Sequence, residues 1–300
     1  MSRKKSVALI ILVLIIAAVA AFGIYSLNSE KKEQTSAAET DVEGSSQIVT
    51  AVPEKYSEYY EKNSDFVGWI KIDSTHVDYP VVKTDNNDFY LNHNFEKEKE
   101  GRGAIYMDKD CSASPLSENT VIYGHNWLDK TMFSEITKYS DLDFYKEHPV
   151  VEFNTRTNMY KWKIFAVFIT SASADEDNGY VFNYIYPDMG GENFDGYISE
   201  IKKRSLFDTG VDVKKTDKIL TLSTCTREVD TSSYRADCRI VILARMVRDG
   251  ESALVDTSSV KKRENPKYPQ IWYDLKGIEN PYKDDEKWYP VKIEEKASEN

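Results

Sequence analysis

The sequence predicts a mainly β fold, and three observations predict it. Short runs of β-branched, aromatic and apolar residues recur between polar turn segments across 69–247. Only one long stretch, 193–207, has a clear helical period: Phe194, Tyr197, Ile198 and Ile201 fall at i, i+3, i+4 and i+7. The run 218–225, Lys-Ile-Leu-Thr-Leu-Ser-Thr-Cys, holds neither Gly nor Pro and reads as a strand ending on a thiol.

Composition bounds the rest. A chain of 300 residues that is 41% hydrophobic and 12% aromatic can bury a real core. A net charge of −11 argues against a nucleic-acid partner. The cysteines, Cys111, Cys225 and Cys238, are few and odd in number, and His76, His93, His125 and His148 lack zinc-ligand spacing. Neither a disulfide framework nor a metal or other cofactor is expected.

Taken in order, the chain opens on Arg3, Lys4 and Lys5 and then an apolar run over 7–24. Eighteen apolar residues are near the minimum for a membrane-spanning helix, with basic residues on the cytoplasmic side. A cleaved signal peptide, with Ala18-Val19-Ala20 as its small-residue site, is the competing reading. Residues 1–25 are therefore expected to be a single-pass membrane anchor with its N-terminus inside, and the rest of the chain is expected to work outside the cytoplasm. Residues 26–52, rich in Ser, Ala, Glu, Lys and Thr, read as a flexible stalk. The folded domain is expected over 53–248.

Pro53 suits a first helical turn, with Tyr56, Tyr59 and Tyr60 behind it. Strands are predicted at 69–72, 77–82, 104–107, 120–123, 150–154, 160–170, 218–225 and 239–247. Pro80 marks an edge or a bulge. The stretch 165–169 is apolar on both faces and should be covered on both. Short helices are predicted at 131–138 and 141–147. Lys202, Lys203 and Arg204 close the long helix, where its dipole favours cations. Residues 249–300 form a polar tail with scattered aromatics and no clear period; the aromatics suggest that part of it packs back on the domain.

The chemistry gathers at three places. Tyr123-Gly124-His125 puts an imidazole just past a strand. Cys225 ends a strand before a polar loop, and Arg239 opens the next strand. If 218–225 and 239–247 pair as a hairpin, Cys225 and Arg239 meet at its open end. A lone cysteine at a strand end is ordinarily a buried hydrophobe, so partners must decide. An imidazole can stabilise a thiolate and carry protons, and a guanidinium can hold an oxyanion. Together the three suit acyl transfer through a thioester.

The set resembles the sortase family, class B. The likeness runs over about 53–247. It includes Phe66-Val67-Gly68-Trp69-Ile70, Tyr90-Leu91-Asn92-His93-Asn94-Phe95, Tyr123-Gly124-His125, Thr221-Leu222-Ser223-Thr224-Cys225 and Arg239-Ile240-Val241, in that order. The resemblance implies a closed eight-stranded β-barrel with N-terminal helices and one long helix between strands six and seven. It implies a cysteine transpeptidase that joins secreted proteins, through a C-terminal sorting signal, to an amine of the peptidoglycan precursor. Cys225 would be the nucleophile, His125 the proton donor and acceptor, and Arg239 the oxyanion and substrate stabiliser. Asn92, Tyr123, Tyr180 and Ser223 would line the substrate cleft. A peptidase that only hydrolyses, or a pilin-polymerising enzyme, would use the same three residues. Two departures stand out: Thr226 and Arg227 precede Glu228 where class B members often carry an acid sooner, and Cys238 adjoins Arg239.

Overall fold

The computed structural model describes residues 54–291, and within them the predicted strands close on one another. Helix α1 (Glu54–Lys62) leads into β1 (Phe66–Lys71) and β2 (Asp78–Val82). Strands β3 (Ile105–Met107) and β4 (Asn119–Tyr123) follow, then α2 (Leu142–Glu147), β5 (Val150–Thr155) and β6 (Lys161–Ser171). Helix α3 (Gly190–Arg204) and the short β7 (Phe207–Asp208) separate β6 from β8 (Ile219–Cys225) and β9 (Cys238–Met246). Beyond these lie β10 (Lys261–Lys262) and α4 (Gln270–Lys276). Eight strands form a closed barrel in the order β1-β2-β3-β4-β8-β9-β6-β5, while β7 and β10 make a separate ribbon. The architecture is the mainly β, closed eight-stranded barrel expected, with α3 between its sixth and seventh strands.

Alternation along the strands decides what fills the barrel. Leu220 and Leu222 of β8, with Cys238, Ile240, Ile242 and Ala244 of β9, point into the main core. Ile219, Val241 and Leu243 point outward, under Phe194, Tyr197, Ile198 and Ile201 of α3. Helix α3 thus seals the outer face. A bulge between Ile164 and Ala166 sends Phe165 and Ala166 to that side together, while Ile164 and Val167 stay inside. This is why the stretch is apolar on both faces.

Some elements differ from the sequence reading. The expected helix over 131–138 is a 3-10 segment, Ser134–Ser140. Met132 still has a positive φ of 56° and belongs to the preceding loop. Ser134, Thr137 and Ser140 then each donate a hydroxyl to the carbonyl three residues back, which suits the tighter turn. Pro80 lies within barrel strand β2, opposite Trp69; β3 pairs only with Val81 and Val82, so the missing N–H costs no ladder bond on that side. The tail does contain elements. Helix α4 is only seven residues long, too short to show a period, and ends at Gly277 with φ 64°.

The expected single-pass membrane placement is corrected. Among the described residues no helix is long and apolar enough to cross a membrane. The apolar run 7–24 and the stalk 26–52, on which that expectation rested, lie outside the described residues.

Candidate active site

Strands β8 and β9 run antiparallel, and their register places Cys225 directly opposite Arg239 at the open end of the pair. Opposed residues share a face of the sheet. The two-residue period puts Ser223 on that same outer face, where it lies beside Tyr123 of the parallel neighbour β4. Tyr123 in turn opposes Tyr106 of β3. Alternation alone thus puts these side chains on one face across four adjacent strands.

Arg239 is held at its strand end by Asp237, whose carboxylate accepts from Nη1 at 2.6 Å. Burial works against its charge, but the neighbouring Cys225 sulfur and the Asp237 carboxylate outweigh this and raise its pKa above the usual guanidinium value. Arg239 stays a cation at any working pH. Asp237 is the carboxylate nearest this end of β9 in sequence, and it acts on the guanidinium.

His125 follows β4 on a loop stitched to the end of β8. Thr224 Oγ1 donates to the Gly124 carbonyl at 2.7 Å, and Asn126 Nδ2 donates to the Cys225 carbonyl at 2.9 Å. The bonds on either side of His125 therefore fasten it to the residue before the thiol and to the thiol residue itself. Gly124 permits the approach: a Cβ there would lie 2.4 Å from Ile105 Cδ1 and 2.8 Å from the Phe133 ring. His125 Nε2 lies 2.8 Å from the Leu91 carbonyl. A carbonyl only accepts, so Nε2 carries hydrogen and Nδ1 is the lone-pair nitrogen of the neutral ring. Trp127 meets the imidazole edge-on, with ring centroids 5.9 Å apart.

The other predicted residues fall in different places. Ser223 Oγ is hydrogen-bonded to Tyr184 at 2.8 Å. Tyr123 donates its hydroxyl to buried Asp108 at 2.8 Å. Burial and that carboxylate push the Tyr123 phenol far above its usual range, so it remains a neutral donor. Asn92 is exposed beside Leu91, whose carbonyl holds His125. Tyr180 does not join this group; its hydroxyl donates to the Trp288 carbonyl at 2.8 Å, beneath the tail.

Two neighbours of the thiol escaped the sequence reading. Tyr184 reaches Ser223, two residues before Cys225. Aromatics at 180, 182, 184 and 186 were visible as a period of two, but not which one would meet β8. Asn126 was legible only as part of a polar loop.

Cys238 points into the core, away from Cys225, as strand alternation predicts. Burial pushes the Cys238 thiol up to about 12 and the Cys111 thiol up to about 11. Cys225 is the partly exposed member of the three, and all are free thiols. Brief treatment of the folded protein with iodoacetamide at pH 8 is therefore expected to label Cys225 alone, read by peptide mass mapping. Equal labelling of Cys238 would contradict the packing described.

Comparison with known proteins points to one family. The sortase domain family model matches residues 70–247. Sortase B of Listeria monocytogenes is 35% identical over 202 residues, covering 66% of this chain and 76% of that protein. A Staphylococcus aureus sortase B-substrate complex superposes with a TM-score of 0.58 at 31% identity, covering 66% of this chain and 87% of the other. A sortase B complexed with triglycine superposes with a TM-score of 0.58 at 29% identity, covering 76% of this chain and 97% of the other. With more than half of its length matched by the domain model and a barrel shared with such relatives, this chain belongs to the sortase family, among the sortase B cysteine transpeptidases.

Proposed function

We propose that this transpeptidase takes a secreted protein with a C-terminal sorting pentapeptide and transfers it to a peptidoglycan amine, with Cys225, His125 and Arg239 as its working groups. The observation that carries the reading is the register that sets Cys225 opposite Arg239 while the His125 loop is bonded to the same strand end.

Cys225 Sγ gives its proton to His125 Nδ1, and the thiolate so formed attacks the carbonyl carbon of the Thr residue within the pentapeptide, whose carbonyl oxygen takes up the negative charge. The Arg239 guanidinium stabilises that oxyanion; it keeps its proton and so serves as a donor, never as a base. The C–N bond breaks as the imidazolium of His125 gives its proton to the departing amine, leaving a thioester on Cys225. An amine of the wall precursor then enters, His125 accepts its proton, and the amine nitrogen displaces the sulfur. With Nε2–H engaged by the Leu91 carbonyl, Nδ1 is the nitrogen suited to this traffic. The Tyr123 and Tyr184 hydroxyls and Ser223 line the approach to the sulfur, and exposed Asn92 borders it. The domain boundaries we propose are a catalytic domain over 53–248 followed by a tail over 249–300.

The test is direct. Purified protein is incubated with sorting pentapeptides and a glycine-based amine, and products are read by mass spectrometry. Ligated peptide is the expected result. Cleavage without ligation would favour a hydrolase, and inertness toward every peptide would remove the reading.

A further inference from the structure

The tail beyond the matched family domain grips a loop whose central residue touches the active-site strand. The loop lies between β6 and α3, and Tyr184 within it is bonded to Ser223 at 2.8 Å. On one side of Tyr184, Tyr180 donates to the Trp288 carbonyl at 2.8 Å, and Lys287 Nζ donates to the Asn178 carbonyl at 2.6 Å. The indole of Trp288 lies among Phe182, Tyr186 and Tyr197, with ring centroids 6.3, 6.3 and 5.9 Å away. It therefore touches the loop both before and after Tyr184. Tyr197 of α3 closes the circuit by donating to the Tyr184 carbonyl at 2.6 Å.

The tail is anchored as well as laid down. Asn193 of α3, itself buried, bonds Val291 twice: its Oδ1 accepts from the Val291 N–H at 2.7 Å and its Nδ2 donates to the Val291 carbonyl at 3.1 Å. That pairing uses both ends of a side-chain amide, as a strand partner would. Gly196, one turn along, makes room for the indole: a Cβ there would lie 2.4 Å from Trp288 Nε1. The helix thus carries a glycine in its interior, at some cost in propensity, on the side where the tail crosses.

We propose that residues 287–291 are a positioning strap, which holds the loop carrying Tyr184 in register with Ser223 and so shapes the cleft beside Cys225. Trp288 and Asn193 are positioning residues; they act on substrate only through that loop. The role rests on the transpeptidase reading given above. A loop misplaced by an ångström can cost a factor of about 100 in rate, so a loosened strap weakens peptide turnover while sparing the thiol itself.

The experiment compares the wild-type full chain with Trp288→Ala and with Gly196→Ala, which leaves every strap residue in place but fills the space under the indole. Three readouts are taken: hydrogen exchange over 178–186, kcat and KM for a sorting peptide, and the rate of Cys225 alkylation by iodoacetamide. Both variants are expected to exchange faster over 178–186 and to lose about 10-fold in kcat/KM, mainly through KM, with alkylation within about 2-fold of wild type. Trp288→Phe, which keeps an aromatic ring in the slot, is expected to restore most of the loss. Unchanged exchange over 178–186 in both variants overturns the strap, whatever the activity. So does a parallel fall in turnover, alkylation and melting temperature, which would mark mere unfolding. A wild-type chain that alkylates normally but turns over no peptide overturns instead the transfer reading beneath it.

Discussion

Cys225→Ala is expected to abolish transfer, with a loss of about 10,000-fold or more in kcat, because no thioester can form without the sulfur. The other thiols cannot stand in. Cys238 faces the barrel interior and Cys111 is buried, and burial raises both thiols to about 12 and about 11. The variant should fold. Cys225 is only partly buried at a strand end, and the loop stitches beside it use the backbone carbonyl of residue 225 and the Thr224 hydroxyl rather than the sulfur. Mass spectrometry of protein mixed with sorting peptide checks this: wild type should carry an acyl adduct on Cys225, and the variant should carry none. A variant that still ligates peptide would place the nucleophile elsewhere.

Arg239→Lys is expected to cost about 100- to 1,000-fold in kcat although the charge is kept, the range seen when one oxyanion donor is removed. The guanidinium is planar and offers several donors in a fixed fork. It can therefore bind Asp237 through Nη1, as it does here at 2.6 Å, and still present other N–H groups to a developing oxyanion. An ammonium is a shorter, rounder group, and one that satisfies Asp237 is drawn away from the cleft. The loss should fall on kcat more than on KM, since the interaction grows as charge moves onto the oxygen. Wild-type kcat in Arg239→Lys, measured by initial rates of peptide ligation, would exclude an oxyanion role for this side chain.

Much of the candidate site is legible in the residues themselves. The barrel strands announced themselves by alternation and by the polar segments between them, both local properties of the chain. The facing of Cys225 and Arg239 followed from one assumption, that two consecutive strands pair around a polar loop, and the register bears it out. The motifs around His125 and Cys225 carried the family resemblance. Tyr184 was missed because its neighbours Tyr180, Phe182 and Tyr186 look the same in sequence, and only the path of the loop sends one hydroxyl to Ser223.

By itself the sequence determined the β character, the candidate acyl-transfer groups and the amphipathic face of α3, since each depends on residue type and short spacing. Tertiary structure alone decided how the His125 loop is sewn to β8, which way the bulge in β6 turns Phe165 and Ala166, and where the tail docks. Those outcomes are hydrogen bonds and packed rings between segments far apart in the chain, such as Asn126 with residue 225 or Asn193 with residue 291. A local pattern can supply the donor and the acceptor, but only the closed barrel brings them within reach of each other.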